Sequence, residues 1–349
     1  MKTSFITGIQ QIGIGVPAAD VAARHYKDLF GMGALVFDDT SEAALMTRYT
    51  GGQVHKRRAL LTLNLQGGGG FEIWQFLSRK PAHATLPRFG DLGIFACILK
   101  CKDVGAARNH LLSQSGIQVS EMQTSVHGWP QCWATDATGN TFLLTECKEC
   151  FYTGKSPVGG VLGAVIGVSD MEKALRLYRD VLGIATMVSD VTVEGSDTPD
   201  SISGKYRRVV LQKTPDGRGA FGKLLGTVQL ELVQALDRQP AQRCKDRYWG
   251  DPGFIHLCFD VLCMDHLKTQ SEAAGFPFTV DSQNSFAMEG AAGRFCYVED
   301  PDGTLIELVE THKVPILKKW NLYLNLKKRG LEKPLPDWIV KLLGMNKVP

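Results

Sequence analysis

Residues 11–16 read Gln-Ile-Gly-Ile-Gly-Val, and a helical stretch ending Tyr26-Lys-Asp-Leu-Phe-Gly31 follows them. Residues 163–168 read Gly-Ala-Val-Ile-Gly-Val, and their helix ends Tyr178-Arg-Asp-Val-Leu-Gly183. Strand and helix end are both displaced by 152 residues (11 to 163, 26 to 178), which makes the chain an internal repeat. A glycine just past each helix suits the left-handed C-terminal cap. Each unit then reaches a strand with a central acid, Phe71-Glu72-Ile73 and Leu230-Glu231-Leu232.

Two further segments match each other. Residues 96–103 (Ala-Cys-Ile-Leu-Lys-Cys-Lys-Asp) and 256–261 (His-Leu-Cys-Phe-Asp-Val) read as strands that run into helices. They close with a turn and a strand, Asp136-Ala-Thr-Gly-Asn-Thr-Phe-Leu-Leu and Asp300-Pro-Asp-Gly-Thr-Leu-Ile-Glu-Leu. Proline presets φ and glycine accepts positive φ, so Asp-Pro-Asp-Gly is a strong turn signal. The chain therefore holds four units of strand, helix and several strands, at about 5–80, 90–150, 160–236 and 250–312. Modules one and two fill 1–152, modules three and four 153–312, and an amphipathic tail with helical character 313–349.

Composition narrows the function classes. The 349 residues are 44% hydrophobic and 21% charged, with a formal net charge of +3. That charge is too small and too scattered to argue for nucleic acid. No run approaches the roughly 18 apolar residues of a membrane span, and the first residues carry no secretory cleavage pattern. Nine cysteines at irregular spacing read as reduced thiols in a cytoplasmic protein. Cys147 and Cys150 form a lone CxxC, and a zinc site would want a second pair.

The four βαβββ modules, the Tyr-x-x-x-Leu/Phe-Gly helix endings and the Asp-Pro-Asp-Gly-x-x-Ile-Glu-Leu strand resemble the vicinal-oxygen-chelate superfamily, whose fold is shared by glyoxalases, bleomycin-resistance proteins and extradiol dioxygenases. The resemblance implies an α+β fold in which four βαβββ modules form two cupped mixed sheets. It also implies metal ligands at the start of each module's first strand and in the middle of its last. Those positions hold Gln11 and Glu72 in module one, Ala96 and Leu143 in module two, Gly163 and Glu231 in module three, and His256 and Glu307 in module four. Strand alternation puts Gln11 opposite the face of Ile12, Ile14 and Val16, and His256 opposite Ile255, Leu257, Phe259 and Val261.

Module pairing decides the site. Sequential pairing splits the ligands between two cups. Pairing one with four gathers Gln11, Glu72, His256 and Glu307 and leaves Glu231 in a blank second cup. The second arrangement resembles zinc-type glyoxalases and is the one expected here. Two carboxylates, an imidazole and an amide oxygen suit divalent Zn, Ni, Co, Mn or Fe.

The resemblance then implies a metal-dependent lyase or isomerase that acts on a small molecule with vicinal oxygens through an enediolate, with Glu307 or Glu72 moving the proton. Glutathione-dependent relatives carry an arginine four residues after the first ligand, and another four before the module-four histidine. Gly15 and Pro252 stand there, so a substrate without glutathione is expected. A metal-free binding protein of the same fold and an iron-dependent dioxygenase are the alternatives. The single in-register histidine disfavours the dioxygenase, and the pattern leaves room for a homodimer.

Other features read more plainly. His127, Trp129 and Trp133 suit core packing, and His55-Lys56-Arg57-Arg58 and Tyr206-Arg207-Arg208 suit solvated strand ends. In the tail, Trp320, Leu322, Tyr323, Leu324 and Leu326 interleave with Lys318, Lys319, Lys327, Lys328 and Arg329, and a short helix is expected to start at Asp337. Packing across a module or a partner is preferred to a membrane surface.

Overall fold

A computed structural model describes residues 5–82, 86–194, 197–199, 204–242, 247–283, 286–288, 291–317, 320 and 322–349. Lys318 and Lys319 of the tail lie outside them.

Module one comprises β1 (Ile6–Gly15), α1 (Ala19–Phe30), β2 (Ala34–Glu42), β3 (Lys56–Leu63) and β4 (Gly70–Phe76). Module two runs β5 (Gly93–Cys101), α2 (Val104–Leu112), β6 (Ile117–Val119), β7 (Gln123–Thr124), β8 (Pro130–Asp136) and β9 (Thr141–Glu146). Module three has β10 (Val158–Gly167), α3 (Met171–Leu175) widening into a π-turn over Arg176–Val181, β11 (Thr186–Glu194), β12 (Lys205–Lys213), the short α4 (Gly222–Leu225) and β13 (Val228–Ala235). Module four has β14 (Gly253–Val261), α5 (Met264–Ala273), β15 (Phe278–Asp281), β16 (Phe286–Met288), β17 (Ala291–Glu299) and β18 (Leu305–Leu317). The glycine caps fall where the repeat puts them: Gly31 takes φ 68° and its N–H reaches the carbonyls of Lys27 and Tyr26, while Gly183 takes φ 73°.

The strands form two sheets, and each draws on both halves of the chain. One has the order β15-β17-β18-β14-β1-β4-β3-β2, which joins module four to module one; the other runs β11-β12-β13-β10-β5-β9-β8-β6, which joins three to two. The seams are antiparallel, β1 against β14 and β10 against β5. Within a module the first and last strands run parallel, as β1 with β4 and β14 with β18. These are two curled mixed sheets with few helices, an α+β fold. One apolar core holds the helices against both sheets: Ile12, Ile14 and Val16 pack there with Tyr26, Leu29 and Phe30.

The β1–β14 pairing shifts register at three points, and two of them matter for the site. The β1 register slips between Ile9 and Gln11, and Gln10 and Gln11 both line one cavity. A second slip, between Gly13 and Ile14, falls opposite Ile255. Leu257, Phe259 and Val261 join the helix-side core as expected, but Ile255 packs with the cup-side cluster of Trp74, Trp249 and Tyr297.

The tail differs from the helical expectation. Strand β18 continues through Leu317, and β19 (Leu322–Asn325) pairs back onto it. Pro315 cannot sit inside a helix, and the edge of β18 offers backbone partners, so the segment extends the sheet. Among the described residues of the tail, only α6 (Asp337–Leu342) is an α-helix, with Asp337 in its first turn rather than capping it. The chain end then crosses module one: Leu35 N–H donates to the Asn346 carbonyl at 2.8 Å and Val348 N–H to Gly33 at 3.1 Å. Leu335, Val340 and Leu343 thereby enter the cup-side cluster. Among the described residues, no helix is long and apolar enough to cross a membrane.

Candidate metal centre

The β1–β14 seam puts Gly13 beside His256, and β4 and β18 flank the seam with Glu72 and Glu307. The space for the imidazole comes from Gly13, where an added Cβ would lie 2.5 Å from His256 Cε1. Strand pairing thus brings together residues from the two ends of the chain. His256 Nε2 lies 3.2 Å from Glu72 Oε2 and 3.1 Å from Glu307 Oε2. Gln11 Nε2 donates to the same two oxygens at 3.0 and 3.3 Å. His256 is fully buried, and Gln11, Glu72 and Glu307 nearly so.

The donor set fits a divalent ion. Ligand atoms of Glu72, His256 and Glu307 lie within 4.8 Å of one another. Ligands about 2.1 Å from an ion and at right angles to each other stand about 3 Å apart, close to the separations here. Two buried polar atoms of these four residues, His256 Nε2 and Gln11 Oε1, lack hydrogen-bond partners among the described residues. A half-turn of the Gln11 amide would exchange its donor for that acceptor. Two uncompensated carboxylates this close and this dry call for positive charge. Without an ion the imidazole supplies it: burial acts to lower the His256 pKa, but Glu307 and Glu72 overcome this and raise it to about 9. Burial likewise acts to raise the Glu307 pKa, and His256 holds it below the usual carboxylate value.

Sequence reading missed Tyr297, whose hydroxyl lies 3.2 Å from His256 Nδ1. It sits on β17 directly opposite Glu307. A partner on the second ring nitrogen fixes the orientation of a metal-binding imidazole. The available signal was cross-strand register: Trp133 stands opposite Leu143 in module two as Tyr297 stands opposite Glu307 in module four.

A cavity of about 250 Å³ opens over the cluster, lined by Gln11, Glu72 and Glu307 together with residues of β2, β3, β17 and β18. Phe221 and Leu224, beside and within α4 of module three, and Leu343 of the tail reach over it. Arg57, expected at a solvated strand end, is buried in its wall. Alternation along β3 sends Arg58 outward, where it pairs with Asp38 and Asp20.

The second cup is filled differently. Ala96 and Leu143 pack with Phe89, Phe95, Trp133 and Tyr206. An added Cβ at Gly163 would meet the Gln229 carbonyl at 1.5 Å. Arg208, also expected to be solvated, is fully buried and paired with both Glu231 and Asp197. His127 Nε2 lies 3.4 Å from Glu231 and Nδ1 lies 2.8 Å from Ser189 Oγ. A guanidinium therefore occupies the neighbourhood of Glu231. Among the described residues, Glu72, His256 and Glu307 make the one group of three or more such side chains close enough to share an ion. Cys147 and Cys150 are free thiols.

The model of the glyoxalase/bleomycin resistance protein/dioxygenase superfamily matches residues 164–297. Over residues 164–297 the chain matches the vicinal-oxygen-chelate superfamily, and its two curled mixed sheets have the fold of that superfamily. Glyoxalase I from Zea mays has a similar structure, with TM-score 0.54 and 15% identity over 87% of this chain and 92% of that one. So does a Bacillus subtilis protein provisionally assigned as a dioxygenase, with TM-score 0.57 and 16% identity over 88% of this chain and 86% of that one. At these identities the likeness is one of fold. No curated protein sequence matches.

Proposed function

We propose that this protein is a divalent-metal-dependent lyase or isomerase of the glyoxalase or epimerase type, acting on a substrate with two adjacent oxygens. The observation that carries the reading is the convergence of Gln11, Glu72, His256 and Glu307 under an apolar cavity. Those four residues would hold the ion, which supplies Lewis acidity toward the paired oxygens when a neighbouring carbon loses its proton. Glu307 and Glu72 are the groups that move that proton. Both line the cavity, and Glu307 is held ionised, as a base must be. Tyr297 keeps the imidazole of His256 in register, and the apolar walls exclude water.

A glutathione-linked substrate is disfavoured by the fold around Gly15. An added Cβ there would lie 2.1 Å from the Asp251 carbonyl, so an arginine has no room.

A turnover screen over 2-oxoaldehydes, hemithioacetals and 2-substituted acyl thioesters tests the proposal. Turnover of one class that chelation abolishes, with E307Q or E72Q slowing it by about 10²–10⁴-fold while metal is retained, supports it. The apolar cavity also favours a second reading, a binding protein without metal chemistry. Tight binding of apolar ligands to chelated protein, with no turnover in any class, would favour that reading instead. One imidazole rather than two speaks against an iron dioxygenase, which oxygen uptake with catechols would reveal.

A further inference from the structure

The walls of the metal-site cavity carry an unmatched set of hydrogen-bond donors. Arg57 Nε and Trp74 Nε1 are buried without an acceptor among the described residues, and Trp249 Nε1, also buried, faces the Tyr297 hydroxyl without closing a full hydrogen bond. Guanidinium and indole nitrogens can only donate, so no rotation or flip turns them into acceptors. The three residues are neighbours. The Arg57 guanidinium lies 4.7 Å from the Trp74 ring centroid, and the Trp74 and Trp249 centroids are 4.4 Å apart. All three line the cavity. Buried donors without partners are uncommon because each costs free energy, so an acceptor that arrives with a ligand is the natural complement.

The charge around the cavity limits what that acceptor can be. Arg57 is already neutralised by Asp39, which accepts from Nη1 at 2.6 Å. A divalent ion held there would balance Glu72 and Glu307. Glu42 and Lys313, the remaining charged lining residues, have opposite signs. The rest of the wall is largely apolar, including Phe37, Met46, Leu61, Leu224, Phe295 and Val309. A further charge on the ligand would be buried without a counter-ion.

Position along the sheet sets the spacing. Leu61 pairs with Glu72, Ala59 with Trp74 and Arg57 with Phe76. At roughly 3.3 Å per residue, Trp74 lies about 7 Å along the strand from Glu72 and Arg57 about 13 Å.

We infer that the substrate is a neutral, apolar-bodied compound with its vicinal oxygens at the metal cluster and a further acceptor oxygen, such as a carbonyl, held by Arg57, Trp74 and Trp249. The inference rests on the reading that the Glu72–His256–Glu307 cluster is the reacting centre. It names the substrate class for that centre, with Arg57, Trp74 and Trp249 as specificity-determining residues.

Titration calorimetry with three probes tests it: a phenylpropanedione carrying a para-acetyl group, its para-isopropyl isostere, and the para-carboxylate. With zinc-loaded protein the acetyl probe should bind about five- to tenfold tighter than the isopropyl probe, and the carboxylate weakest. In W74F/W249F, which keeps the aromatic surface and removes the N–H donors, the acetyl advantage should vanish and isopropyl affinity should hold. The single W74F variant gives the same comparison if the double variant does not fold. An isopropyl probe that matches the acetyl probe, an acetyl advantage that survives W74F, strongest binding by the carboxylate, or no binding of any probe would overturn the inference. Failure of the metal reading looks different: probe affinities would be equal in zinc-loaded and chelated protein while the acetyl preference persisted.

Discussion

The phenol of Tyr178 donates a 2.9 Å hydrogen bond to Oδ2 of Asp300, joining the helix of module three to the turn of module four. Tyr26 makes the equivalent bond to Asp136 at 2.8 Å, joining module one to module two. Each pair therefore ties an element of one sheet to an element of the other. The same tyrosines mark the sequence repeat, and the same aspartates open its turns.

Removing the phenol in Y178F should cost about 1–2 kcal/mol, read as a lower urea midpoint with an unchanged slope. Asp300 adds a pH dependence. Burial raises its pKa to about 6 against the hydrogen bonds it accepts. A carboxyl raised on folding contributes stability that is full below about pH 4 and is lost as pH rises through about 6. D300N should flatten that part of the stability profile, whereas a substitution at an exposed acid should not.

The buried ion pairs of the second cup give a contribution of opposite sign. Glu231 has a pKa of about 2, because Arg208 and His127 outweigh its burial. Its contribution is present above about pH 4.5 and is lost as pH falls toward 2. R208M would leave Glu231 and Asp197 buried without their guanidinium and should cost about 3–5 kcal/mol at neutral pH. R208M/E231Q should recover part of that loss in the same denaturation experiment.

How much of this was legible in the sequence follows from what period and repeat can encode. The resemblance names Gln11, Glu72, His256 and Glu307 by their places on the first and last strands of a module, and strand pairing brings these four side chains together. The pairing of module one with module four followed from where the competent side chains lie. Arg57 and Arg208 are buried where the sequence suggests solvated strand ends, since an arginine on a strand looks the same whether it faces water or a cup. Asp39 and Asp197, which make burial tolerable, are distant partners that no local pattern names. The bulges opposite Ile255 and at Gln10 were invisible for a related reason: alternation assumes an unbroken pleat. The mixture of apolar and basic residues in the tail suits a helix, and the open edge of β18 decides otherwise.

Gly13 and Tyr297 place the imidazole, one from beneath and one from the side. G13A would push a methyl group into His256 and should weaken zinc binding at least tenfold while circular dichroism stays native. Y297F removes the group facing Nδ1 and should weaken it about 10–100-fold, measured by competition with a chromogenic chelator. Unchanged affinity in both variants would mean that His256 is not a ligand.

The central claim is that Gln11, Glu72, His256 and Glu307 hold one divalent ion, and metal content by mass spectrometry after equilibration with zinc and desalting tests it most directly. The prediction is one ion per chain in the native protein, and a large loss in both H256A and E307A with no loss in E231A. Substoichiometric metal in the native protein, unchanged by H256A or E307A, would contradict it.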